Sequence, residues 1–129
     1  MKADAQTEAA VLGILERFTA RIAAGEVDPV LQLFAPDDDI GVAISGGSPL
    51  RGPDELRAFL RRYAHGTIRY SWAWNSCEVT AAGDQASLLA EGTETFAGAQ
   101  QPYRLSMLCE RRDGRWLILQ VNGSSPPSA

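Results

Sequence analysis

The fold is decided between Ile68 and Phe96, in the stretch IRYSWAWNSCEVTAAGDQASLLAEGTETF. Before it, apolar residues recur at helical spacing; from Ile68 onward the period drops to two, the signature of strands. Gly83-Asp84 interrupts the stretch with residues suited to a tight turn. It therefore reads as a hairpin of two strands, Ile68 to Thr80 and Gln85 to Phe96. On the second strand Ala86, Leu88, Ala90, Gly92 and Glu94 alternate with Ser87, Leu89, Glu91 and Thr93. The small residues Ala86, Ala90 and Gly92 leave room for a helix, a ligand or large neighbours, and Trp72 and Trp74 on the preceding strand are the obvious fillers.

Downstream the pattern repeats. Pro102 to Arg111 and Arg115 to Asn122 read as a second hairpin about Asp113-Gly114. Upstream the chain is helical. From Ala5 to Ala24, Val11, Ile14, Leu15, Phe18 and Ile22 form one apolar stripe, with Asp4 to cap its start and Gly25 to end it. Asp28-Pro29 repeats the start signal and opens a short helix, Val30 to Phe34, stopped at Ala35-Pro36. Ile40 to Ile44 reads as a first strand and Ser45-Gly46-Gly47-Ser48-Pro49 as a turn. Pro53 opens a third helix carrying Leu56, Phe59, Leu60 and Tyr63. Three helices followed by long antiparallel strands predict an α+β fold, with the helices on one face of the sheet.

A chain of 129 residues has room for one domain, expected over 1–123, with 124–129 a flexible tail. A net charge of −4 with one lysine, Lys2, argues against nucleic acid as a partner. Arg61-Arg62 and Arg111-Arg112 read as solvated faces and a hairpin tip. No signal peptide and no apolar run near the ~18 residues of a membrane span is seen, so a cytoplasmic location with no membrane partner is expected. Cys77 and Cys109 read as two reduced, buried thiols.

Asp37-Asp38-Asp39-Ile40 and Leu50-Arg51-Gly52-Pro53-Asp54-Glu55-Leu56-Arg57-Ala58-Phe59 carry a resemblance, as do Arg104-Leu105-Ser106 and Arg112-Asp113-Gly114-Arg115-Trp116. The chain resembles the SnoaL-like branch of the nuclear transport factor 2-like superfamily from about Val11 to Ser124. That resemblance implies a cystatin-like cone: helices packed on a strongly curved, mostly antiparallel sheet around a central pocket, often in dimers. Members include ketosteroid isomerases, scytalone dehydratase, limonene epoxide hydrolase and polyketide cyclases, and others that only bind or scaffold, so the fold does not name an activity. Many members carry alternating histidines and then a serine on the last strand. Here those positions are Gln120, Asn122 and Ser124, which puts histidine-based acid–base chemistry in doubt.

Register decides which side chains meet the pocket. A three-residue Arg112-Asp113-Gly114 loop would pair Arg111 with Arg115. Arg104, Ser106 and Leu108 would then share the pocket face with Trp116, Ile118, Gln120 and Asn122. Tyr103, Leu105, Met107, Cys109, Leu117, Leu119 and Val121 would form an apolar outer face needing a second cover. A two-residue turn would mix the two sets. The first register predicts a homodimer through the outer sheet face.

The pocket candidates follow from it. Glu94 is a candidate base, since a carboxylate in an apolar pocket can run proton chemistry; most strand glutamates are merely solvated. Arg104, with Gln120 and Asn122, is a candidate for holding an anion or an oxyanion, or else a structural partner of Glu94. Trp72, Trp74, Ser106, Trp116, Phe18 and Tyr63 are candidate ligand contacts, and Phe34, Phe59 and Tyr70 also suit an apolar pocket, although each aromatic is more often plain core. Glu91 is a weaker carboxylate candidate, and His65 has a sufficient structural reason at a helix end. Asp37 to Asp39 cannot converge on one ion unaided. No phosphate loop, nucleophile elbow or paired-cysteine spacing occurs, so no cofactor and no metal is expected. The expected activity is binding of a small apolar, ring-containing or carboxylate-bearing metabolite, or its cofactor-free isomerisation, dehydration, hydrolysis or cyclisation. The alternative is a non-catalytic dimerisation or binding domain with a vestigial pocket.

Overall fold

The computed structural model describes residues 1–44 and 47–126. Its elements are α1 (Ala5–Ala23), α2 (Asp28–Leu31), β1 (Gly41–Ala43), β2 (Leu50–Arg51), α3 (Gly52–His65), β3 (Ser71–Ala82), β4 (Gln85–Phe96), β5 (Ala99–Arg112) and β6 (Arg115–Ser124). The strands form one curled sheet in the order β2-β1-β6-β5-β4-β3, parallel only between β1 and β6. The α+β architecture is therefore as expected. The turn expected at Ser45-Gly46 lies outside the described residues.

The first helix follows its signals. Asp4 accepts the Thr7 N–H at 2.7 Å, Gly25 is left-handed, and Val11, Ile14, Leu15 and Phe18 are buried. Each such side chain contributes roughly 1.5–3 kcal/mol when taken fully out of water. The second helix is displaced from its expected span. Asp28 sits inside it rather than capping it, with its carboxylate 2.8 Å from Arg57 Nη1. Leu33 to Ala35 leave the helix because they pair with β6: the Ile118 N–H donates to the Leu33 carbonyl at 2.8 Å, and the Ala35 N–H to the Ile118 carbonyl at 2.9 Å.

The last hairpin departs from the preferred register. Arg112 pairs with Arg115 across a two-residue turn, with Asp113 at φ 51 and Gly114 at φ 77. Left-handed residues at both positions match the natural twist of the flanking strands. Arg111 thus faces Trp116, and the three-residue loop does not form. The two-residue turn does mix the two expected sets, but a bulge at Leu119 keeps polar and apolar side chains apart: Cys109 pairs with Ile118, and Leu108 with Gln120. Tyr103, Leu105, Met107 and Cys109 consequently lie inside with Ile118 and Val121, all of them buried. Arg104, Gln120 and Asn122 point outward and are exposed. On β5 the expected pocket and outer faces are exchanged, while on β6 Ile118 stays inside as expected and Gln120 and Asn122 give way to Val121.

A second bulge shapes β3. The ladder to β4 shifts between Trp74 and Ser76, leaving Asn75 as the extra residue. Trp72 and Trp74 therefore share the inner face with Val79 and Ala81, although strict alternation would separate them. Cys109 is buried as expected, and burial pushes its thiol up to about 12. Cys77 is exposed, contrary to expectation, because it lies on the edge strand. The end of that edge is covered by the N-terminus, where the Ala3 N–H donates to the Val79 carbonyl at 3.2 Å. Among the described residues no helix is long and apolar enough to cross a membrane.

Candidate functional site

A cavity of about 160 Å³ opens between the helices and the inner face of the sheet. α1 contributes Phe18 and Ile22, and α3 contributes Leu56, Phe59, Leu60 and Tyr63. β1 supplies Val42, with Ile44 just beyond it. The long strands supply Trp72, Glu94, Phe96, Gln101, Tyr103, Leu105 and Val121. An engineered apolar cavity of nearly this size is known to hold one benzene ring, which sets the scale of an occupant.

One polar triplet sits in the wall. Trp72, Glu94 and Gln101 occupy one level of three adjacent strands, because Glu94 pairs with Trp72 on one side and Gln101 on the other. The Trp72 indole N–H donates to Glu94 Oε2 and the Gln101 amide to Oε1, both at 3.0 Å. Glu94 is only 5% exposed, and among the described residues it makes no ion pair. Each oxygen keeps a lone pair free for an occupant. The bulge at Asn75 creates this triplet, since an unbroken ladder would set Trp72 against Thr95.

The rim is aromatic. Tyr63 stacks on Tyr70 with centroids 5.8 Å apart, and Tyr70 stacks on Trp72 at 5.8 Å and on Phe96 at 4.1 Å. The Tyr63 hydroxyl accepts the Tyr70 N–H at 2.7 Å. Arg69 braces this rim. Its guanidinium lies 5.2 Å from the centre of the Tyr63 ring and donates to the Tyr63, Ala64 and Gly66 carbonyls at the end of α3. Burial raises the pKa of Tyr103, with the Glu94 charge and Tyr70 adding to it, and burial, Glu94 and Tyr63 raise that of Tyr70. Both phenols hold their protons at neutral pH.

Of the residues singled out in the sequence, Glu94, Trp72, Phe18, Phe59, Tyr63 and Tyr70 meet at this cavity. The others do not join them. Trp74 lies on the inner face opposite Gly92, half-buried, its indole N–H without a partner among the described residues. Arg104, Ser106 and Asn122 line a shallow depression on the outer face, where Arg104 stands across from Glu91. Arg104 is exposed and needs no ligand anion to satisfy it. Gln120 lies beside Asp37 and Arg112, and Trp116 beside Gly13 and Arg17 of α1. Arg112 is no solvated tip: it grips both oxygens of Asp37, at 2.8 and 2.6 Å, and holds that carboxyl below its usual range. His65 is exposed. Among the described residues no group of three potential ligands could hold a metal ion.

Phe96, Gln101 and Tyr103 were not picked out as pocket residues from the sequence. Pro102 set the start of the strand too late, whereas β5 begins at Ala99 after a two-residue turn with Ala97 at φ 53 and Gly98 at φ 79. Ala97-Gly98 was the available signal. Alternation from Ala99 would then have aligned Gln101 and Tyr103 with Leu105.

The comparisons agree with this fold. The chain resembles an NTF2-like protein of unknown function from Pseudomonas putida at 17% identity, with 95% of this chain and 89% of that one covered and a TM-score of 0.81. It resembles a proposed dehydratase of the NTF2-like family from Streptomyces avermitilis at 17% identity, covering 95% and 99%, with a TM-score of 0.83. A proposed aromatic ring hydroxylase from Novosphingobium aromaticivorans shares 17% identity over 98% and 94% of the two chains, with a TM-score of 0.84. At such identities these likenesses establish the fold alone. A search of curated proteins finds no match. The profile of the SnoaL-like domain matches residues 11–128, and the chain belongs to that family.

Proposed function

We propose that the cone is a small-molecule site of the SnoaL-like type, taking a ring-sized, mostly apolar molecule with Glu94 as its polar anchor. The observation that carries this reading is a carboxylate, 5% exposed, in the wall of an otherwise aromatic and aliphatic cavity. A vestigial pocket would have no use for a desolvated carboxylate, which weakens a fold unless something repays its burial. Glu94 has the position and the free lone pairs to take a proton from an occupant. Cofactor-free isomerisation, dehydration or cyclisation is the chemistry within its reach. The Trp72 and Gln101 donors would fix its orientation and the neutral Tyr70 and Tyr103 would complete the wall. The Streptomyces relative described as a dehydratase is consistent with that class.

The site is tested by melting the protein against a panel of one-ring compounds. A ligand at a hundred times its dissociation constant should add about 2.7 kcal/mol of stability. Ile22→Trp, which fills the half-exposed mouth without disturbing the buried floor, is expected to abolish the shift while leaving the unliganded melting temperature nearly unchanged. A shift of equal size in that variant would move the ligand elsewhere.

A second reading, self-association through the outer sheet face, now rests on one observation. Leu89 is 45% exposed on that face, beside the Arg104 and Asn122 depression. A homodimer would cover it. Light scattering during size-exclusion chromatography should then give twice 13.9 kDa, and a 13.9 kDa particle at micromolar concentration would end this reading.

A further inference from the structure

We infer that the occupant of the cavity is a cation: a small ring-bearing amine in its protonated form. The inference rests on the proposed small-molecule site and narrows it to one ligand charge. Among the described residues no arginine, lysine or histidine lines the cavity, so Glu94 is its one charged side chain. Its two hydrogen-bond partners, Trp72 and Gln101, are neutral. The carboxylate is thus solvated by dipoles but not neutralised, and a buried charge of this kind is stabilised most by an opposite charge brought to it. An ammonium N–H would meet the free lone pairs of both oxygens in charge-assisted hydrogen bonds.

The rest of the wall has the matching chemistry. Tyr70, Trp72 and Phe96 line the cavity together with Glu94, and aromatic rings are favourable neighbours for a cation. The rim already engages one cation in this way, the Arg69 guanidinium above Tyr63. A carboxylate-bearing ligand, by contrast, would meet Glu94 with no counter-charge. Anion binding was expected through Arg104, and that side chain lies on the opposite face of the sheet.

Three near-isosteric probes separate the possibilities: phenethylamine, phenethyl alcohol and phenylacetate, titrated calorimetrically at neutral pH. The amine is expected to bind at least about tenfold more tightly than the alcohol, with phenylacetate weakest, a gap in line with a desolvated cation–π contact joined to a charge-assisted hydrogen bond. Glu94→Gln should bring amine and alcohol to similar affinity. Phe96→Leu, which leaves the carboxylate in place, should weaken the amine several-fold more than the alcohol, and it serves as the test should Glu94→Gln fold poorly. Alcohol binding as tightly as amine to the native chain would overturn the inference while leaving the small-molecule site intact. So would an amine preference that survives in the variants. If none of the three binds, the site and the inference fall together.

Discussion

Gly92→Ala is expected to destabilise the domain by on the order of 3 kcal/mol, a fall in melting temperature of roughly 10 °C for a chain of this length. A Cβ at this position would lie 2.0 Å from the Ala73 carbonyl oxygen and 2.8 Å from the Trp74 Cα. Both obstacles are backbone, so no rotamer change relieves them. They lie there because the bulge at Asn75 folds β3 over β4 at this level. The sheet must either open at Gly92 or lose the bulge. Either response moves Trp72 relative to Glu94 in the next inward-facing pair, so the Trp72–Glu94 hydrogen bond should be lost together with the stability. Gly83→Ala and Gly98→Ala are the controls. Both glycines are left-handed, but a Cβ there meets nothing within 4 Å, and each substitution should cost only the ~1 kcal/mol of an unfavourable backbone conformation. Differential scanning calorimetry of the three variants decides the matter: equal losses at all three would mean that Gly92 is needed for its flexibility and not for the close approach.

The same bulges explain what the sequence could and could not reveal. Period, caps and turn residues were sufficient for α1, α3 and the two hairpins about Gly83-Asp84 and Asp113-Gly114, because each is a local signal. The alternation of Ala86, Leu88, Ala90 and Glu94 also gave the inner face of β4 correctly, since no bulge interrupts that strand's own alternation. On β6 the polar residues Gln120 and Asn122 follow Trp116 and Ile118 at even spacing, so unbroken alternation puts all four on one face. One extra residue, Leu119, separates them. A bulge of this kind is placed by tertiary context: β6 gives up pairing with Leu33 to Ala35 and takes up β1 at this point. Nothing local in the sequence signals that handover. The Arg104 grouping does not form for this reason, while Glu94 stands on the inner face as expected because its placement depends on β4 alone.

A loss of stability as large as that of Gly92→Ala, joined to the largest change in ligand choice, is expected from Leu60→Ala. Leu60 is 1% exposed on α3, and its side chain is one wall of the cavity. Truncation removes the transfer free energy of the lost methyl and methylene groups and leaves added empty volume. Losses of 2–5 kcal/mol are typical, and about 3 kcal/mol is expected here, since the neighbouring wall is already open and has few atoms that can collapse inward. The new space is continuous with the cavity, so it is recoverable by a larger ligand. A probe with one ring should bind the variant no more tightly than the native chain, whereas a two-ring analogue bearing the same polar group should gain affinity and restore much of the lost melting temperature. Glu94 and its partners are untouched on the sheet, so the preference among amine, alcohol and acid should be unchanged in the variant. That separation is the decisive result. If enlarging the α3 wall altered the charge preference as well as the size preference, Glu94 would not be the group that sets the ligand's charge; if neither changed, the cavity would not be the binding site.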